Sequence, residues 1–106
     1  MPPEAIVSSG VFRAYYPHSV GHWIGMDTHD VPSISGHTPL KDGVVLTIEP
    51  GLYLPPKAHL GRYAGIGVRI EDDVLVTSDG FEVLSGDLPI EAEEVEALVC
   101  ELRSCN

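Results

Sequence analysis

The chain has 106 residues, 43% of them hydrophobic, which is enough for one domain, or for part of a larger one, with a modest core. Its 16 acidic and 6 basic residues give a formal net charge of −10, which excludes nucleic acid and anionic membranes as partners and suits cations or neutral peptides. There is no membrane-spanning apolar run or signal-peptide pattern, and Cys100 and Cys105 are predicted to be free thiols in a reducing compartment.

The N-terminal half is predicted to contain the end of a helix, a loop and two strands. Residues 4–16 are moderately apolar and predict the last turns of a helix. Prolines, serines and Gly36 mark residues 31–39 as a loop. Residues 44–49, VVLTIE, are rich in β-branched side chains and predict a strand. Pro50 and Gly51 end that strand, and the LYL that follows begins another.

The C-terminal half is predicted to contain one long strand, a hairpin and a closing helix. Residues 66–77, IGVRIEDDVLVT, begin with an apolar–polar alternation that predicts a single half-buried strand. The Ser-Asp-Gly of residues 78–80 predicts a hairpin turn into FEVL. Apolar residues then recur at helical spacing behind an acidic cluster, at Val95, Leu98, Val99 and Leu102. Together these elements predict an α+β fold.

Three of the five histidines cluster in one short segment, HSVGHWIGMDTHD, at His18, His22 and His29. The spacing of the first two resembles the H-E-x-x-H motif of zinc proteases, but the glutamate is missing and glycines replace a helical pattern. The clustering therefore favours a functional site of another kind. His37 and His59 lie in polar loops, where a surface or structural role is the better interpretation.

Two glutamates stand beside apolar strand sequence, and each alone could be an ordinary solvent-facing carboxylate. Glu49 ends VVLTIE, and Glu71 lies within the predicted strand of residues 66–77. One histidine with two glutamates from separate strands offers nitrogen and oxygen ligands that suit Mn²⁺, Co²⁺ or Fe²⁺. The combination indicates a divalent-cation site.

Three motifs in this order, PHSVGHWIGMDTHD, VVLTIEPGLY and GIGVRIEDDVLVT, resemble the C-terminal part of the catalytic domain of aminopeptidase P, especially its mitochondrial-type branch. The resemblance runs from about Tyr16 to Leu102 and implies a pita-bread fold, with a curved, mostly antiparallel sheet and a closing C-terminal helix. It also implies an intracellular location, mitochondrial or cytoplasmic. Prolidase is the close alternative, because it shares these motifs but usually carries a longer insertion between the last two.

The resemblance implies a role for each of six residues. His22, Glu49 and Glu71 correspond to ligands of two divalent cations, with Mn(II) favoured and Glu71 bridging both. His29 corresponds to a histidine that contacts the substrate carbonyl, and His18 to one that lines the proline side of the site. Arg69 corresponds to an arginine beside the metal centre. The implied reaction is hydrolysis of the N-terminal peptide bond that precedes proline, with Trp23, Asp30 and Tyr53 in supporting positions.

The remaining two ligands that the resemblance implies are aspartates upstream of the histidine motif. Before His18 the only acidic residue is Glu4, so we expect those aspartates to lie outside this chain. Residues 1–106 are accordingly predicted to form a single partial domain that is inactive alone and has an exposed sheet through which it can self-associate. The alternatives are a fragment of a prolidase-type dipeptidase, and a non-catalytic isoform that acts as an interaction module.

Overall fold

The computed structural model describes residues 1–104. In chain order its elements are α1 (Pro3–Ser9), a 3₁₀ turn (Val11–Ala14), β1 (Val45–Ile48), β2 (Gly51–Tyr53), a kinked 3₁₀ segment (Ala58–Tyr63), β3 (Gly67–Arg69), β4 (Asp72–Thr77), β5 (Gly80–Val83) and α2 (Ala92–Ser104). The predicted N-terminal helix is shorter than residues 4–16 because Gly10 ends it with a left-handed backbone, at φ 69°.

The strands form two small antiparallel sheets, which confirms the α+β fold class. β4 lies between β1 and β5 in a three-stranded sheet, and β2 pairs with β3 in a second sheet. The predicted hairpin is also confirmed, since Thr77 pairs with Gly80 across a two-residue turn between β4 and β5.

The prediction of one half-buried strand over residues 66–77 is wrong. The segment divides into β3 and β4, which belong to different sheets, and β1 and β2 divide at the matching place. The chain thus crosses from one sheet to the other twice, between β1 and β2 and between β3 and β4. The Ile70 amide donates to the Pro50 carbonyl at 3.2 Å, and this hydrogen bond links the two crossovers. Ile66, Val68 and Ile70 stay 46–56% exposed, because within residues 1–104 no other helix or strand packs against the two-stranded sheet. The crossovers place Glu49 and Glu71 at one corner of the fold.

Little apolar surface is buried within residues 1–104. No hydrophobic side chain of this range is fully buried, and the two buried residues are polar, Thr47 and Glu49. The predicted C-terminal helix is present as α2, but within residues 1–104 it does not pack closely against any strand. Its apolar residues Val95, Leu98 and Val99 remain 39–40% exposed. Cys100 is a free, exposed thiol, whereas Cys105 lies outside the described residues. None of the helices in residues 1–104 is both long and apolar enough to cross a membrane.

Candidate metal centre

The histidine segment, residues 18–30, is held against β1 by backbone hydrogen bonds. The Glu49 amide donates to the Val20 carbonyl at 2.7 Å, and the Thr47 amide donates to the His22 carbonyl at 3.0 Å. Gly21 permits this approach, because a Cβ atom there would lie 1.8 Å from the Thr47 carbonyl oxygen. The lack of a side chain at Gly21 therefore allows the backbone hydrogen bonds to hold His22 beside the end of β1.

The structure brings the three predicted metal ligands together. One ligand atom from each of His22, Glu49 and Glu71 lies within 4.8 Å of the others. These residues come from three separate segments: the histidine segment and the two sheet crossovers. One imidazole nitrogen and two carboxylates form a donor set that suits a divalent transition-metal ion.

The orientation of the His22 ring provides a test of whether a cation fits. Its Nδ1 lies 2.9 Å from the Trp23 carbonyl oxygen, and a carbonyl can only accept, so Nδ1 carries the hydrogen. In the neutral ring Nε2 is then an acceptor, and it lies 3.3 Å from Oε1 of Glu49. Two acceptors at this distance are stabilised by a positive charge between them, either a proton or a metal ion. The residues thus fit a bound cation.

Thr47 is a supporting residue that the sequence reasoning missed. Its Oγ1 accepts from the His22 amide at 3.0 Å and donates to Oε1 of Glu49 at 3.2 Å. Thr47 is only 3% exposed and Glu49 8% exposed, so these bonds satisfy groups that are largely shielded from water. The available signal was a polar residue two positions before Glu49, on the same face of the strand.

Arg69 joins the two glutamates. Its guanidinium lies 3.6 Å from Glu49 and 3.8 Å from Glu71, while its side chain remains 48% exposed. A single positive charge between two carboxylates reduces their mutual repulsion and restricts how each can turn.

His18 is not part of the ligand cluster formed by His22, Glu49 and Glu71. Its ring is nevertheless held in a fixed orientation by two hydrogen bonds. Its Nδ1 donates to the Ser19 carbonyl at 2.7 Å, so in the neutral ring its Nε2 accepts from the Tyr53 hydroxyl at 2.7 Å. The Tyr53 ring lies over Gly51 and Gly67, where added Cβ atoms would come within 2.7–2.9 Å of it. The absence of side chains at these two glycines therefore makes room for the tyrosine that orients His18.

His29 lies against the ligand cluster, with its ring centroid 4.8 Å from that of His22 in an edge-on contact. An open cleft of about 620 Å³ is lined by the three clustered histidines, Glu49 and Arg69, together with Phe12, Arg13, Pro17, Ser19 and Gly21. The cleft therefore joins two of the three donors, His22 and Glu49, to the residues that the resemblance assigns to substrate. His37 and His59 are exposed, as predicted, and neither lines this cleft.

Residues 3–78 match the sequence profile of metallopeptidase family M24. This match covers most of the chain, and the chain therefore belongs to metallopeptidase family M24.

Sequence identity to individual relatives shows which members of that family the chain is similar to. The chain is 49% identical over 88 residues to Xaa-Pro aminopeptidase 3 of Homo sapiens, covering 81% of this chain and 17% of the relative. It is 45% identical over 93 residues to the mitochondrial intermediate cleaving peptidase 55 of Arabidopsis thaliana, covering 87% and 19%. The resemblance to aminopeptidase P is confirmed.

A solved structure gives the same result for the fold. Aminopeptidase P from Escherichia coli, with the inhibitor Pro-Leu, superposes with a TM-score of 0.82 at 38% identity, covering 98% of this chain and 24% of that structure. This likeness confirms the pita-bread fold. The chain spans between a sixth and a quarter of the length of these proteins.

Proposed function

We propose that this chain supplies part of the metal centre and substrate cleft of a Xaa-Pro aminopeptidase, which hydrolyses the N-terminal peptide bond preceding proline. The single observation that supports this most strongly is the convergence of His22, Glu49 and Glu71 within 4.8 Å. The names of the relatives support the substrate class, peptides with proline in the second position. A mitochondrial or cytoplasmic location is proposed on the same basis.

In this proposal His22, Glu49 and Glu71 hold divalent cations, with Mn(II) favoured among them. The complete site would hold two cations, for which two further aspartate ligands are expected from outside this chain. A bound divalent cation supplies Lewis acidity, polarising a peptide carbonyl and lowering the pKa of water. Arg69 keeps the two carboxylates in place and limits the negative charge they present to the substrate.

The histidines on the cleft bind and orient the peptide. His29 contributes an imidazole beside His22, where it can donate a hydrogen bond to the substrate carbonyl as negative charge develops. His18 is fixed by Tyr53 and by the Ser19 carbonyl, so it presents a rigid surface to the proline side of the scissile bond. Rigid placement of these rings lowers the entropic cost of aligning the substrate.

A chimera tests the proposal directly. This chain replaces the matching quarter of Escherichia coli aminopeptidase P, and the product is assayed with Mn²⁺ on a Xaa-Pro-Xaa peptide. We expect release of the first residue, and loss of that release on Glu71→Gln. The matched control is Glu82→Gln, an exposed glutamate on β5, which should keep full activity. A correctly folded chimera without activity would contradict the proposal.

The substrate range of the same chimera distinguishes the aminopeptidase from the prolidase-type dipeptidase. Cleavage confined to Xaa-Pro dipeptides would favour a prolidase-type enzyme, whereas cleavage of longer peptides favours the aminopeptidase. The interaction-module alternative draws support from the apolar side chains that stay exposed in residues 1–104, and it predicts a chimera that folds but never turns over peptide.

A further inference from the structure

We infer that Asp30 is the positioning residue that holds His29 against the ligand cluster, by organising the backbone of the loop formed by residues 25–31. This inference rests on the proposed function, because the proposed substrate contact of His29 gives the position of that ring its importance.

The carboxylate of Asp30 gathers three backbone amides of its own loop. Its Oδ2 accepts from the amides of Met26 at 2.5 Å and Asp27 at 3.3 Å. Its Oδ1 accepts from the Val31 amide at 2.7 Å. Charge-assisted hydrogen bonds of this kind are stronger than those between neutral groups, so a single side chain closes the loop at both ends.

Two backbone features of the loop depend on that carboxylate. Gly25 lies directly beneath it, where an added Cβ atom would be 2.1 Å from Oδ2 of Asp30. Val31 has a φ of 56°, a left-handed conformation that is unfavourable for a β-branched residue. The hydrogen bond from the Val31 amide to Asp30 offsets that unfavourable backbone, and the chain turns sharply just after His29.

The His29 ring has little else to fix it. Within residues 1–104 its nitrogens have no hydrogen-bond partner, and its ring contact is the edge-on one with His22. Met26 in the same loop is fully exposed, so it adds no apolar anchor. The position of His29 therefore follows from the loop backbone, and the loop backbone follows from Asp30.

Three variants separate this role from a general effect of charge. Asp30→Asn is nearly isosteric, but an amide that keeps one oxygen for Val31 turns an NH₂ group toward the amides of Met26 and Asp27. Gly25→Ala displaces the carboxylate without removing it. Asp27→Asn is the matched control, since it removes the same charge from the same loop, and the Asp27 carboxylate makes no hydrogen bond or ion pair with any residue of the described range 1–104.

The first measurement is nuclear magnetic resonance of the chimera with Escherichia coli aminopeptidase P, carrying isotope-labelled histidine rings and loop amides. In the wild type we expect a nuclear Overhauser contact between the rings of His22 and His29. In Asp30→Asn and Gly25→Ala that contact should disappear, and amide exchange at Met26 and Asp27 should accelerate about tenfold or more, while Asp27→Asn retains the contact. Cross-strand contacts between Val45 and Leu75 report that the fold persists.

The second measurement is kinetic, in the chimera with Escherichia coli aminopeptidase P. We expect Asp30→Asn to lower kcat about 100-fold, a size typical of a misplaced catalytic group, with little change in the affinity for Mn²⁺. A ring contact that persists in Asp30→Asn, or that is absent from the wild type, would overturn the inference. If the contact behaves as expected but the wild-type chimera is inactive, the positioning role stands and the proposed function fails.

Discussion

The Nε2 atom of His22 lies 3.3 Å from Oε1 of Glu49, although the two residues belong to different motifs of the sequence. The contact depends on a glycine and a threonine. Gly21 lets the histidine segment approach β1, and Thr47 donates to Glu49 while accepting from the His22 amide. The approach of nitrogen to carboxylate is thus set by the backbone of β1, which makes it sensitive to changes that touch neither ligand.

Gly21→Ala should destabilise the fold by about 1–3 kcal/mol, the usual cost of forcing an extra methyl group into a filled position. The added carbon would lie 1.8 Å from the Thr47 carbonyl oxygen, so the histidine segment must move away from β1. Thermal unfolding of the chimera measures the effect. Gly36→Ala is the control, because nothing lies within 4 Å of a Cβ atom there. Equal stability of the two variants would contradict the prediction.

Binding of Mn²⁺ by the isolated chain should be weak or undetectable. His22, Glu49 and Glu71 offer one nitrogen and two carboxylates, whereas the complete site is proposed to include two more aspartates that add charge and bridging geometry. Titration calorimetry measures this. Tight binding of two Mn²⁺ per chain, abolished by His22→Ala, would show that these residues rearrange into a full site.

The isolated chain should release no N-terminal residue from a peptide with proline in the second position, relative to a control with Mn²⁺ alone. The reason is the same incomplete ligand set, which leaves no pair of cations to activate water. An amino-acid release assay with the 106-residue chain decides the point. Turnover that disappears on Glu71→Gln would be the contrary result, because it would assign activity to this chain itself.

The loop of residues 25–31 should lose its order in acid. Backbone hydrogen bonds from Val31, Asp27 and Met26 lower the pKa of Asp30 below its usual 3.8. A depressed pKa in the folded state means that the stabilisation is present above 3.8 and disappears as the pH falls through the lower, folded-state pKa. Amide chemical shifts of Met26 and Asp27 should therefore titrate with a midpoint below 3.8. In Asp30→Asn this titration should vanish, and a midpoint above 3.8 in the wild type would contradict the prediction.

The local elements were predictable from sequence because each has a local cause. β-Branched residues in VVLTIE, the Ser-Asp-Gly turn and the apolar spacing of the last helix all appear where expected, as β1, the hairpin and α2. The three motifs also led to the residues that meet at the candidate metal centre. What a motif supplies is the identity of the side chains, and the structure adds their distances.

The sheet crossovers could not be predicted, because alternation along a strand does not reveal which sheet each part joins. The apolar–polar alternation passes through Ile70 without interruption, yet the hydrogen bond from Ile70 to Pro50 marks a change of sheet. The roles of Thr47 and Gly25 were hidden for a similar reason. Each depends on a neighbour brought near by folding, the His22 amide for one and the Asp30 carboxylate for the other.

Exposed apolar surface leads to the last prediction, that the isolated chain self-associates or is partly molten. Leu52 is 55% exposed, Val68 56% and Phe81 71%, and β5 has no strand partner on its outer side within the described residues. Leaving such side chains exposed forgoes about 1.5–3 kcal/mol each relative to burial. Several of them together rival the whole stability of a small domain, about 5–15 kcal/mol.

The net charge of −10 opposes association but acts through screened, long-range repulsion, whereas apolar faces and open strand edges attract at contact. Sedimentation velocity should therefore detect species larger than the monomer, and their share should grow when salt is added. Near-ultraviolet circular dichroism should give weak signals from Trp23 and the tyrosines, as loosely packed aromatic rings do. A sharp monomer with a strong aromatic signal and cooperative unfolding would contradict the prediction, because these small sheets would then be stable without a covering partner.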